Sequence, residues 1–200
     1  MKQFLDVALE AAREAGSILR AEYDRPKQVS YKGEVDLVTE SDKRSEAIIV
    51  SKIRNHFPQH DIVAEEGSRG ADGGAKYCWH VDPLDGTTNF AHSYPCFAVS
   101  IGLLEDGDPI VAAVLNPLTQ ELFSAMRGEG AYLGHKRIRV SQVEKLAQSL
   151  VSTGFPTQQR ASNRNIYYYR EFTMRSHGVR RDGSAALDLC SVACGRFDGF

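Results

Sequence analysis

Two hundred residues, 42% hydrophobic and 25% charged, suffice for one good core or two small domains and exclude a disordered or fibrous chain. A formal net charge of -2 gives no general attraction to nucleic acid or anionic membrane, so phosphate recognition must come from local donors or metals. Cys78, Cys96, Cys190 and Cys194 form no C-x-x-C pair and are expected to be reduced, with Cys190 and Cys194 read as small buried thiols rather than ligands on one helix face. The opening segment mixes acids and arginines into its apolar pattern, unlike a signal peptide, and no apolar run reaches membrane-span length. The cytoplasm is the default expectation.

Leu5, Ala8, Ala12, Ala15 and Leu19 recur at helical spacing and predict an amphipathic helix to about Tyr23, followed by a loop. From Val35 a short extended piece leads to Thr39 or Ser41 as the cap of a second helix, which carries Ala47, Ile48 and Phe57 on one face and stops before Pro58. DIVAEEG and KYCWHVDP read as strands delivering carboxylates at their ends, joined by the Gly-rich link GSRGADGGAK. FAVSIGLLEDGDPIVAAVLNP predicts two strands around an Asp-Gly turn, and ELFSAMRGEGAYLGHKRIRV adds strand, turn and strand, making an antiparallel meander. LVSTGFP predicts a strand, residues 161–177 a helix, and GSAALDLCSVACG a small-residue helix closed by Gly195. This order predicts an α+β part over 1–145 and an α/β part over 146–200, with the boundary near 141–150.

The stretch DPLDGTTNF, residues 82–90, sets Asp82 and Asp85 three residues apart. Two half-buried anions that close need a cation, a proton or strong donors to compensate them. Glu65 and Glu66 fall at another predicted strand end, and Asp36 and Asp42 flank the start of the second helix. Oxygen donors without Cys or His at ligand spacing suit a hard cation, Mg²⁺ above all. Pro83 fixes the backbone after Asp82, Gly86 allows an unusual dihedral, and residues 85–88 can open a short helix whose free N–H groups face an anion. Ions held by shared carboxylates activate water and stabilise the leaving oxygen in phosphoester hydrolysis, and the Thr87 hydroxyl lies within reach of such a water.

VDLVTESD, AEEG, WHVDPLDGTTNF followed by FAVSIGL, TGFP and GSAALDLCSVACGRFDGF resemble, in order and approximate spacing, the inositol monophosphatase family over nearly the whole chain. The resemblance implies a layered αβαβα sandwich, two to three Mg²⁺ ions, lithium sensitivity, a homodimer, and hydrolysis of myo-inositol 1-phosphate by water without a covalent intermediate. It implies that Glu65, Asp82, Asp85 and the Leu84 carbonyl hold the metals, and that Glu65 and Thr87, backed by Asp42, orient and deprotonate the water. Gly86 and Thr87 would bind phosphate through their amides, Asp85 would touch a sugar hydroxyl, and Gly183, Ser184 and Ala185 would face the inositol ring.

Two departures from that pattern stand out. His80 replaces an aliphatic residue and, by strand alternation, shares a face with Asp82; it is read as a packing change rather than a ligand. The family chain continues past GRFDGF with an acidic sugar contact and a W-D motif bearing a further metal ligand, so the sequence is expected to be C-terminally truncated, its last part incomplete. The rival readings are a phosphatase for fructose bisphosphate, histidinol phosphate or a 3'-phosphonucleotide, and a weakly active module that binds RNA or protein. RNIYYYREFTMR is read as an amphipathic helix carrying aromatics into a core or dimer interface, and His56, His60, His92, His135 and His177 as surface or structural residues.

Overall fold

The computed structural model describes residues 1–26, 29–32, 36–65, 67, 69–70, 75–155 and 163–200. Helix α1 (Lys2–Glu22) buries Ala8, Ala11, Ala12, Ala15 and Gly16, a face of small side chains that lets its backbone approach the sheet. A Cβ on Gly16 would stand 2.6 Å from Leu115 Cδ2, so the closeness of that approach depends on glycine. Strands β1 (Val29–Lys32) and β2 (Asp36–Thr39) pair antiparallel, where only a loop and a short extended piece were expected.

Helix α2 (Glu40–His56) is capped by Thr39 in a capping box with Asp42, and Ser41 donates instead to Glu22 Oε2 at 2.5 Å. Its buried face differs from the expected one: Ala47 is exposed and Ile48 half-buried, while Asp42, Ser45, Glu46, Ile49, Val50 and Ile53 are buried. The cap turns Asp42 inward, which fixes the helical phase, and the inward stripe then runs at three- and four-residue steps from Asp42 through polar residues first.

The main sheet holds β3 (Asp61–Ala64), β4 (Arg69–Gly70), β5 (Tyr77–Asp85), β6 (Ala98–Glu105), β7 (Asp108–Leu115), β8 (Leu122–Met126), β9 (Gly130–Leu133) and β10 (Lys136–Arg137), in the order β10-β9-β8-β7-β6-β5-β3-β4. From β5 to β10 it is the predicted antiparallel meander; β3 joins β5 in parallel, and the Gly-rich link contributes β4 at the edge. Asp106 and Gly107, both at positive φ, close the β6–β7 hairpin as a two-residue turn. Helices α1 and α2 pack on this sheet and on each other, and Trp79, Phe97, Ile101 and Leu103 are fully buried. Trp79 Nε1–H donates to His60 Nδ1 at 3.0 Å, and the His60 ring stacks on Phe57 and Tyr77. His60 is thus a core anchor whose pKa burial lowers.

A second, parallel pair joins β11 (Leu150–Ser152) to β12 (Gly178–Arg180), with Gly199 bridging to Val151. The remaining helices are α3 (Thr87–Ala91), α4 (Asn165–Arg175) and α5 (Ala185–Ala193), the last touching β6 and β7. No residue of α4 is buried, with Tyr167 61% and Met174 77% exposed, so its aromatics do not enter a core, one of the two places expected of them; Tyr168, Tyr169 and Phe172 wall a cavity beyond β11 and β12. All four cysteines are free thiols, and burial pushes Cys96 and Cys190 up to about 12. Among the described residues no helix is long and apolar enough to cross a membrane.

Candidate active site

The site forms where β5 passes into α3. The pairing of β5 with β6 slips between Asp82 and Asp85, so Pro83 and Leu84 are buried and the two aspartates emerge half-buried. Asp82 Oδ1 accepts from the Leu84 amide at 3.0 Å. Burial raises the Asp82 carboxyl far above the usual carboxylate range, and the negative charges of Glu65 and Asp85 and a hydrogen bond shared with Glu65 raise it further, opposed by the Leu84 amide. Two carboxyls share such a bond only with a proton between them. Glu65 itself is exposed in the turn after β3, held there by its amide on Val81 O at 3.2 Å.

Asp85 reaches across the chain to the N-terminus of α5. Its Oδ2 accepts from Ser184 Oγ and from the Ala186 amide, the latter at 2.8 Å. Burial raises its pKa, and the donors at Ser184, Ala186 and Ala185 partly offset that rise. Gly86, at φ +96°, begins α3 in the left-handed region; a Cβ there would stand 3.0 Å from Cys96 O and 3.2 Å from Gly183 O. Asn89 Nδ2 donates to Cys96 O and to Asp182 O, both at 2.7 Å, and so ties α3 to the turn before α5.

Thr87 Oγ1 stands 3.0 Å from the Leu84 carbonyl oxygen and 3.3 Å from Asp42 Oδ1. One hydroxyl proton serves one of these acceptors at a time, leaving the oxygen lone pairs for another partner. Asp42, 1% exposed, also accepts the Thr39 amide at 2.8 Å; burial raises its carboxyl and the Thr39 and Thr87 bonds oppose the rise. The Gly86 and Thr87 amides belong to the first turn of α3, where N–H groups have no intrahelical acceptor.

The structure therefore brings together Asp42, Asp82, Leu84, Asp85, Gly86, Thr87, Gly183, Ser184 and Ala185, with Glu65 joined through Asp82. Glu66 lies outside the described residues, as does the side chain of Asp36. His80 shares its strand face with Asp82 but is exposed, with Nε2 3.8 Å from Cys78 Sγ. Asn89 and Asp188, which lines the cavity beside Asp85, were not singled out from sequence, although both sit in quoted motifs, Asn89 in DPLDGTTNF and Asp188 in GSAALDLCSVACG.

Among the described residues no three His, Cys, Asp or Glu side chains stand close enough to enclose a metal ion. The donors nonetheless fit a hard cation in kind: all are oxygens, and Asp82 stands half-buried beside two further negative charges with an amide as its offset. A cation held there would offset the negative charges that, with burial, raise the Asp82 carboxyl.

The chain is similar along its whole length to proteins of one family. The inositol monophosphatase family pattern matches residues 1–200. An inositol-1-monophosphatase of Synechocystis is 45% identical over 204 residues, which take in all of this chain and 70% of that protein. The structure of an inositol monophosphatase from Anabaena (Nostoc) superposes with a TM-score of 0.88 at 44% identity, covering 98% of this chain and 73% of that one. The extragenic suppressor protein SuhB of Bartonella henselae gives 0.91 at 37% identity, covering 98% and 76%. The layered sandwich fold is shared with them. A match along the whole sequence, with the carboxylate and glycine positions gathered at one strand–helix junction, makes the chain a member of the inositol monophosphatase family of phosphoric monoester hydrolases.

Proposed function

We propose that the chain hydrolyses myo-inositol 1-phosphate to myo-inositol and phosphate in a Mg²⁺-dependent reaction. The observation that supports this most is the Asp82 environment: a half-buried carboxylate, raised by desolvation and then by the charges of Glu65 and Asp85, is a place that a divalent cation would stabilise. Glu65, Asp82, Asp85 and the Leu84 carbonyl would hold the metal, which when bound supplies positive charge to the phosphoryl oxygens and lowers the pKa of water. Thr87 would offer its oxygen to a water while donating its own proton to Asp42, whose raised carboxyl makes it a ready acceptor. The Gly86 and Thr87 amides face the phosphate, and Ser184 and Ala186 fix the Asp85 carboxylate.

The test is phosphate release across a Mg²⁺ titration from myo-inositol 1-phosphate, fructose bisphosphate, histidinol phosphate and a 3'-phosphonucleotide, with Asp85→Asn beside the parent. The highest kcat/KM is expected for inositol phosphate, and Asp85→Asn is expected to lower turnover at least about 10²-fold through lost charge. Near-parental turnover in that variant at matched Mg²⁺ would show the site to be misassigned. Retention of a bound protein or RNA partner without Mg²⁺ and without turnover would favour the binding-module reading.

A further inference from the structure

The cavity at the carboxyl ends of β11 and β12, about 790 Å³ in volume, opens beside Asp85 and has two unlike walls. One is aromatic, built from Phe155, Tyr168, Tyr169 and Phe172. The other is the first turn of α5, which presents Ser184, Ala185 and Asp188. Asp188 is 2% exposed, yet its carboxylate accepts no hydrogen bond and joins no ion pair among the described residues, although its amide donates to Ser184 O. That sets it apart from Asp42 and Asp85, each of which accepts at least two donors. Arg181, the cation within electrostatic reach, lies over the Phe155 ring, 5.9 Å from its centroid. Burial, with the charges of Asp182 and Asp85, pushes the Asp188 carboxyl up to about 7. The Asp188 carboxylate lines the cavity with no donor from the protein on it among the described residues, so the position suits a ligand that brings one.

We propose that Asp188 accepts a hydrogen bond from a hydroxyl of the substrate's leaving alcohol, and so gives the site its preference for hydroxylated over apolar leaving groups. The inference rests on the phosphatase reading above and adds a specificity residue to it. Asp188 takes no part in bond cleavage. A polyol supplies the O–H that the carboxylate lacks, whereas an aromatic leaving group lies against the opposite wall and needs nothing from α5.

The experiment compares myo-inositol 1-phosphate with phenyl phosphate, by calorimetric Kd and by KM and kcat at fixed Mg²⁺, in the parent chain, Asp188→Ala and Asp188→Asn. Asp188→Ala is expected to weaken inositol phosphate about tenfold or more in Kd and KM and to leave phenyl phosphate within about twofold, while Asp188→Asn, which keeps an acceptor oxygen, recovers most of the loss. Singly deoxygenated inositol 1-phosphates provide a measurement on the unsubstituted chain: one of them is expected to bind about tenfold more weakly. If every deoxy analogue binds as well as the parent ligand, or if both phosphoesters weaken equally in Asp188→Ala, the assignment falls while the phosphatase reading stands. Absence of binding and turnover with either phosphoester in the parent chain overturns the phosphatase reading and this assignment with it.

Discussion

Thr87 has one proton and two acceptors, Leu84 O and Asp42 Oδ1, and this competition sets what the residue can do. Whichever acceptor takes the proton, the oxygen stays held at the mouth of α3 with lone pairs free. Thr87→Val keeps the β-branched shape and removes the hydroxyl. Asp42 retains both Thr39 contacts in that variant, so the fold should lose only about 1 kcal/mol for one bond. Turnover should fall about 10²- to 10⁴-fold if the hydroxyl orients and deprotonates water. Asp42→Asn separates the two jobs of its target: it weakens the α2 cap by about 1 kcal/mol and also removes the proton acceptor, so melting and turnover should drop together. A Thr87→Val enzyme with kcat within a few fold of the parent would remove this hydroxyl from water activation.

At the scale of elements, the site depends on α3 being tied to the turn before α5, and Asn89 is the tie. Its amide nitrogen serves Cys96 O and Asp182 O, and Gly183 is packed so closely that a Cβ there would meet Asn89 Nδ2 at 2.7 Å. Asn89→Ala leaves two carbonyls without that donor, for a loss of about 2 kcal/mol and roughly 4–8 °C in Tm in a chain of this size. With 183–185 loosened, KM for inositol phosphate should rise more than kcat falls; an unchanged KM beside a lowered Tm would make Asn89 a purely structural tie. Nothing about Asn89 in the sequence announces this role, because it depends on residues more than ninety positions away. The small-residue face of α1, the β6–β7 hairpin and the Asp82–Thr87 junction were legible because their signals are local: a period, an Asp-Gly turn, a motif. Strands β1 and β4 went unseen because they are too short for a pattern and exist through pairing. The face of α2 was misphased because its inward stripe begins with polar residues held by a cap, and hydrophobicity reads those as outward.

The whole molecule carries a cost concentrated in one corner, since burial raises the carboxyls of Asp42, Asp82 and Asp85 together. A carboxyl whose folded pKa lies above its unfolded one binds more protons in the fold. Its favourable effect is therefore present at low pH and is lost as pH rises from the unfolded value through the folded one. Half-buried Glu105, Asp198 and Glu121, lowered by their hydrogen-bond donors, and half-buried His60, lowered by desolvation, act with the opposite slope. The Tm of one chain against pH mixes these signs; the difference between two chains that differ only at Asp82 does not. In Asp82→Asn the amide can donate to Glu65 the bond that a protonated Asp82 donates, without having to hold a proton. Without divalent metal, the variant and the parent should melt together near pH 4, and the variant should become the more stable of the two as pH rises toward 8. Mg²⁺ at pH 8 should then raise the parent Tm, because a cation bound only by the fold adds stability, and should raise the variant less, because its donor set has lost a charge. The two chains should exchange order as the metal is added. A variant that melts below the parent across the whole metal-free range would mean that Asp82 is compensated by something other than a proton, and the case for a cation at this corner would lose its physical basis.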